Sequence, residues 1–259
     1  MKDFHQVSGN FDPHKLPFMS SIYPTIVIIC LYFLSLRLGQ GLMKHRRPFQ
    51  LKAFLVVYNI LQVLACLYFL INVFRTGFKW NYLWTCHMTG YENLNHVKLL
   101  YFTYILKGTE LIETILFILR KKFGQMSFLH IYHHVSTFVF AYIGVTRVGN
   151  GMLLTPYTLN MIVHAVMYSY YLASIFISDF DKIISVKKSI TIMQMVQFIL
   201  ILFNTVRAYQ TECGIETIFV IIFIPNVLII FYEFFKFYTK TYSKSGKKKA
   251  KQVNKKKSY

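Results

Sequence analysis

Apolar residues in this chain form long unbroken blocks, without the strict alternation of a half-buried strand or the one-sided stripe of a surface helix. A helix that crosses a bilayer needs roughly 20 mostly apolar residues. Candidate blocks of about that length fall at 21–38, 53–74, 99–119, 128–148, 152–177, 189–206 and 216–237. The pattern predicts an all-α, polytopic membrane protein whose seven transmembrane helices form one domain over 21–242. A short N-terminal segment, 1–20, and a Lys-rich tail, 243–259, are expected to be disordered. The first segment holds Asp3, His5 and Pro13 and no apolar run, so no cleavable leader is expected.

Composition agrees with the blocks. Of the 259 residues 55% are hydrophobic and only 15% charged, against about 25% charged in an ordinary soluble domain. The net charge of +19 would point to nucleic acid in a soluble protein. Here ten lysines lie between Lys236 and Lys257, so the excess follows membrane topology, and the expected partner is the lipid bilayer, with no nucleic acid. Alternate connections carry most of the remaining basic residues. Lys44, Arg46, Arg47 and Lys52 follow the first block, Arg120, Lys121 and Lys122 the third, and Lys182, Lys187 and Lys188 the fifth. The other connections hold few, such as Arg75, Lys79 and Lys98. The positive-inside rule then places the N-terminus on the lumenal side and the tail in the cytosol.

Two further expectations depend on that orientation. Lys256 and Lys257 stand four and three places from the C-terminus and resemble a dilysine retrieval signal, which suggests the endoplasmic reticulum membrane; the plainer reading is a Lys-rich tail attracted to anionic lipid. Cys86 and Cys213 both fall in lumenal connections, where an oxidising compartment favours a disulfide between them over two free thiols. Cys30 and Cys66 lie inside blocks and read as small buried hydrophobes.

Polar residues inside the blocks are few and concentrated. The third block carries Lys107, Glu110, Glu113 and Thr114. The fourth opens with His130, His133 and His134, which share one helical face through their i,i+3 and i,i+4 spacing. The fifth carries Asn160, His164, Met167, Tyr168, Tyr170 and Tyr171, and the sixth Thr191, Gln194 and Gln197. Given the orientation, four helices bring these groups to one depth in the cytosolic half. Ionisable groups in hydrocarbon are costly and mark functional sites, so the pattern implies a polar pocket inside the bundle that continues as an apolar blind tunnel.

Each group also has a plainer reading. Lys107 and Glu110 could simply neutralise each other, the glutamines could join helices, and the tyrosines could pack near the interface. A lone His164 would more often be a satisfied polar residue than a ligand. The histidine run is the hardest to dismiss, since neutral imidazoles pack there only if each finds a partner. By itself it leaves metal binding, proton relay and acyl chemistry open.

A polar cleft ending in an apolar tunnel suits a polar head on a long alkyl tail, and fatty acyl-CoA has that form. Lys121, Lys122, Lys187 and Lys188 at the mouth could hold the anionic part of CoA. The motifs then carry a resemblance that extends over nearly the whole chain. Residues 107–114 are similar to a KxxExxDT box, with Glu113 where that box has Asp. Residues 130–134 match HxxHH, 160–171 match NxxxHxxMYxYY, and 191–197 match TxxQxxQ, in that order. The chain thus resembles the elongase family of very-long-chain fatty acids, the 3-oxoacyl-CoA synthases of the endoplasmic reticulum. HxxHH alone is a weak signal, whereas four boxes in order are specific.

The resemblance implies a condensing enzyme that joins a fatty acyl-CoA to malonyl-CoA, giving 3-oxoacyl-CoA, CO2 and CoA, with no cofactor and no metal. It implies an acyl group carried on histidine as an acyl-imidazole, with His133 the nucleophile. His164 would assist decarboxylation or stabilise the enolate, and His130 and His134 would orient the centre or stabilise oxyanions. Asn160, one turn before His164, would fix its tautomer. Lys107, Glu110, Glu113, Tyr168, Tyr171, Gln194, Gln197, Lys187 and Lys188 make up the expected substrate-binding set. By the same resemblance, spans two to seven surround the tunnel and the first packs outside. The ketoreductase, dehydratase and enoyl reductase of the elongation cycle are the expected partners, and a homo-oligomer is left open. Two rivals remain at this point: a membrane di-iron desaturase or hydroxylase, which resemblance to that class says needs about eight histidines at the site, and a seven-span transporter or receptor.

Overall fold

The computed structural model describes residues 11–86, 93–149, 151–177 and 180–242, with side chains from 185 onward in the last segment. The chain folds into helices α1 (Tyr23–Met43), α2 (Lys52–Arg75), α3 (Leu94–Glu110), α4 (Ile112–Leu119), α5 (Phe128–Ile143), α6 (Leu154–Phe176), α7 (Phe180–Gln210) and α8 (Thr217–Tyr242). Short 3-10 turns join some of them, and no strand occurs among the described residues. Residues 1–10 and 243–259, with Lys256 and Lys257, lie outside the described residues; residues 11–20, expected to be disordered, instead form a 3-10 turn at Pro13–Lys15 capped by Asp12 and bury Met19.

Five helical stretches are long and apolar enough to cross a membrane: Tyr23–Met43, Lys52–Arg75, Gly151–Phe176, Ser185–Gln210 and Thr217–Tyr242. They leave large apolar side chains such as Val27, Leu31, Leu61 and Ile221 facing outward. A soluble chain would not tolerate so much exposed apolar surface; this is a multi-pass membrane protein.

The blocks expected at 99–119 and 128–148 are helical but interrupted. The first divides at Leu111 into α3 and α4. Just before the break, Thr109 Oγ1 donates 2.7 Å back to the Leu106 carbonyl, competition that bends helices. Gly108 faces the Phe138 ring so closely that a Cβ would stand 3.3 Å from it. The second block ends as a π turn, Gly144–Val148, closed by Gly149 at φ +53°. Gly144 is required there, since a Cβ would sit 2.8 Å from the Tyr157 hydroxyl. The block expected at 189–206 instead begins at Phe180, because helix-forming lysines carry its polar N-terminal turns beyond the apolar run.

Packing order sets the site. α2 lies against α6, α6 against α7, α7 against α8, α8 against α5, α5 against α3 and α3 against α2, which closes a ring. α1 stands outside it, against α4 and α5. The largest buried cluster is built on Tyr104 stacked against Phe138, ring centroids 4.8 Å apart, with Cys66, Phe69 and Met161 around them. At one end of the bundle Cys86 and Cys213 form a disulfide with Cα atoms 5.6 Å apart. Asn204 of α7 donates to the carbonyls of Tyr82 (2.9 Å) and Leu83 (3.1 Å), which holds the short turn before Cys86 in place.

Candidate active site

The break between α3 and α4 turns three charged side chains inward. Lys107 and Glu110 are fully buried, and the Lys107 ammonium donates 2.9 Å to each oxygen of Glu110. The pairing explains how either charge tolerates the interior. It does not exhaust the carboxylate, because His164 Nδ1 of α6 stands 3.1 Å from Glu110 Oε1 and His134 Nδ1 of α5 stands 3.9 Å from Oε2. Glu113, one turn on, accepts the Tyr168 hydroxyl at 2.5 Å and the Tyr58 hydroxyl at 3.4 Å, and lies 3.5 Å from His134 Nε2. His134 therefore sits between two carboxylates, one balanced by an ammonium and the other by phenols.

The three histidines of α5 share a face as the spacing requires, with His130 and His134 rings 4.3 Å apart and His133 and His134 rings 5.5 Å apart. Their surroundings differ. His130 Nε2 meets Thr114 Oγ1 at 3.0 Å. His133 makes no side-chain hydrogen bond to any described residue and opens onto a cavity of about 70 Å³. Lys107, Asn160, Gln197 and Asn226 form the polar part of the cavity wall. Phe140, Leu153, Tyr157, Phe219 and Phe223 form its apolar end. On α8 the lining runs from Phe219 to Ile230, about 16 Å at a rise of 1.5 Å per residue.

Two residues have surroundings other than those expected. Asn160 does not fix His164: its buried Oδ1 has no hydrogen-bond partner among the described residues and the side chain lines the cavity. His164 Nδ1 meets Glu110 instead. Gln194 turns to Met167 Sδ at 3.6 Å and is not part of the cavity wall, whereas Gln197 is. Tyr168 belongs to the Glu113 cluster, and Tyr171 packs on its ring at 6.1 Å. Lys187 and Lys188 lie exposed on the N-terminal part of α7, with Lys188 Nζ 5.9 Å from the Tyr238 ring centroid.

Tyr32, Tyr58, Gln62, Thr137 and Asn226 join the site without having been singled out in the sequence. For α2 the signal was present, since Tyr58 and Gln62 are one turn apart on an otherwise greasy helix; Gln62 Nε2 donates to Thr109 Oγ1 at 3.3 Å. Tyr32 and Asn226 are single polar residues in apolar runs, where pattern alone does not distinguish pocket from lipid.

Of the nine histidines, His130, His133, His134 and His164 reach the site. His14, His45 and His96 lie elsewhere, and His5 and His87 fall outside the described residues. Glu113, His130 and His134 bring ligand-type atoms within 4.8 Å of one another, the only such group among the described residues. Each of the three already faces a protein partner: Tyr168 on Glu113, Thr114 on His130 and the carboxylates on His134.

Curated relatives extend over most of the chain. Very long chain fatty acid elongase 4 of Mus musculus is 35% identical over 240 residues, covering 89% of this chain and 77% of the relative. Very long chain fatty acid elongase 2 of Mus musculus is 33% identical over 234 residues, covering 89% and 80%. Very long chain fatty acid elongase F of Drosophila melanogaster is 34% identical over 251 residues, covering 93% and 97%. Together with a match to the ELO family profile over residues 17–250, these place the chain in the ELO, or GNS1/SUR4, family.

Proposed function

We propose that the chain is a condensing enzyme of fatty acid elongation, joining a long-chain fatty acyl-CoA to malonyl-CoA to give 3-oxoacyl-CoA, CO2 and CoA. The observation that carries this reading is His133, an imidazole with no side-chain hydrogen bond to any described residue, on the wall of a mostly apolar cavity that also presents Lys107, Asn160, Gln197 and Asn226. The relatives named above support the same substrate class.

Chemistry follows from the arrangement. A lone pair of the His133 imidazole attacks the thioester carbonyl; the C–S bond breaks, CoA leaves as thiolate and takes a proton, and the acyl group remains on nitrogen. Malonyl-CoA then loses CO2, and the electrons of that C–C bond form an enolate that attacks the acyl carbonyl and releases the imidazole, which regains its N–H proton from water. His164, paired with Glu110, steadies the enolate in this reading. Asn160, Gln197 and Asn226 offer amide donors along the cavity wall for carbonyl oxygens. The alkyl tail extends past Thr137 toward Phe219. No step uses a cofactor or metal.

The membrane arrangement belongs to the same reading. Counting α3 with α4 as one span and α5 with its π turn as another gives seven, with the N-terminus lumenal, the C-terminus cytosolic, and the endoplasmic reticulum as the residence. The Cys86–Cys213 bond then lies on the oxidising side. Lys187 and Lys188 face the cytosolic mouth, and reduction and dehydration of the product fall to partner enzymes in the same membrane.

Purified protein supplied with acyl-CoA and labelled malonyl-CoA should form labelled 3-oxoacyl-CoA. His133→Ala should abolish both condensation and the release of CoA in the absence of malonyl-CoA. Release at the wild-type rate by that variant would remove His133 as the carrier.

A further inference from the structure

α1 packs outside the helix ring, yet one of its side chains reaches the histidine cluster. Tyr32 is 4% exposed, and its hydroxyl lies 2.8 Å from Thr114 Oγ1. Thr114 is wholly buried and lies 3.0 Å from His130 Nε2. The His130 ring lies tilted at 4.3 Å against His134, which stands between Glu110 and Glu113, and at 5.0 Å against Phe117. A chain of hydroxyls thus runs from a peripheral helix to the first histidine of the cluster. From this geometry we infer that Tyr32, acting through Thr114, is a positioning residue that fixes the tautomer and orientation of His130; the inference rests on the condensing reading above.

Hydrogen accounting sets the polarity of the chain. Thr114 has one hydrogen and can accept two, while each neighbour offers either a hydrogen or a lone pair. If Thr114 donated to Tyr32, the buried phenol hydrogen would have no other acceptor among the described residues, which is costly. If Tyr32 donates to Thr114, Thr114 donates to His130 Nε2, and both hydroxyl hydrogens are used. His130 Nε2 is then an acceptor, and its proton resides on Nδ1. The half-buried His130 ring leaves that N–H able to find water. His130 is thereby presented as a neutral donor, the form that steadies an oxyanion and does not compete with His133 for the acyl group.

The test uses the full chain in lipid nanodiscs with histidine labelled at its ring nitrogens. His130 resonances are assigned by their loss in His130→Asn. In the wild type they should show a protonated Nδ1 and a bare Nε2, and in Tyr32→Phe a tautomer mixture. In condensation assays, Tyr32→Phe and Thr114→Val should each lower kcat about tenfold, the worth of one hydrogen bond. KM for acyl-CoA should stay within about twofold, since substrate binding is not touched. Thr114→Ser should recover most of the rate, and the double variant Tyr32→Phe/Thr114→Val should be no slower than the slower single, because both cut one chain. An unchanged ring spectrum in Tyr32→Phe, or fully additive losses, overturns the inference. A spectrum that shifts as expected in a protein that does not condense would retain the positioning role and refute the proposed activity.

Discussion

Removing Lys107 exposes how much the site depends on charge pairing. Its ammonium contacts both oxygens of Glu110 at 2.9 Å, with side chains 3% and 0% exposed. Lys107→Met keeps length and apolar volume but leaves the carboxylate facing only His164 at 3.1 Å and His134 at 3.9 Å. Breaking a buried pair from one side costs about 3–5 kcal/mol. At about 2–4 °C per kcal/mol for a chain of this size, the unfolding midpoint should fall by roughly 10 °C. Glu110→Gln, which strands the ammonium instead, should cost a comparable amount. Lys107→Met/Glu110→Gln removes both charges and should recover several degrees over either single variant. The assay is the thermal unfolding of detergent-solubilised protein at fixed scan rate, with the four proteins side by side. Additive losses in the double variant would refute the reasoning, because they would mean that the ion pair is not what makes each charge tolerable. Activity should be lost in all three, since Lys107 lines the cavity and Glu110 contacts both Lys107 and His164.

Two further outcomes follow from the cavity wall. Phe140, Phe219 and Phe223 meet edge to face and stacked, with centroids 5.1–5.9 Å apart, at the apolar end; Phe219→Ala should lengthen the products by at least one two-carbon cycle, read by gas chromatography of fatty acids from elongase-deficient yeast, and an unchanged profile would locate the stop elsewhere. Gln197→Leu should reduce turnover about tenfold while Gln194→Leu, whose partner is the Met167 sulfur, should stay within about twofold; equal losses would contradict the different orientations of the two side chains.

The elements of the fold were readable because lipid demands long apolar runs, and the site because each polar residue in such a run needs a reason to be there. Lys107, Glu110, the α5 histidines and His164 were all visible on that ground. What the pattern could not carry was direction. Gln194 and Gln197 sit three residues apart in the same box, yet only one faces the cavity, a choice made by how α7 packs on α6. Asn160 and His164 look like a pair at i,i+4, but Asn160 lines the cavity while His164 turns to Glu110 on the neighbouring helix. The division at Leu111 has no proline to announce it and comes from a threonine back-bond and the approach of Phe138 to Gly108. Tyr32 was hidden for another reason: tyrosine in a membrane helix is common, and only the position of α1 against α4 brings its hydroxyl to Thr114 beside the histidine cluster.

The closed ring of helices has a consequence for how the protein is made. The charged face of α3 and α4 and the histidines of α5 leave the ribosome early, whereas His164 arrives on α6 and the cavity wall is completed only by α8. From Phe128 to Tyr242 the ribosome must add more than a hundred residues, roughly ten seconds of synthesis at about 5–20 residues per second. During that interval Glu113 has no Tyr168, His133 has no α8 beside it, and a set of ionisable groups faces either lipid or the insertion machinery. The nascent chain therefore depends on being held by that machinery until its last helix is released. Truncations within α8 should be degraded rather than accumulate as slow enzymes, because the helix that closes the cavity is also the one that ends the exposure of the charges.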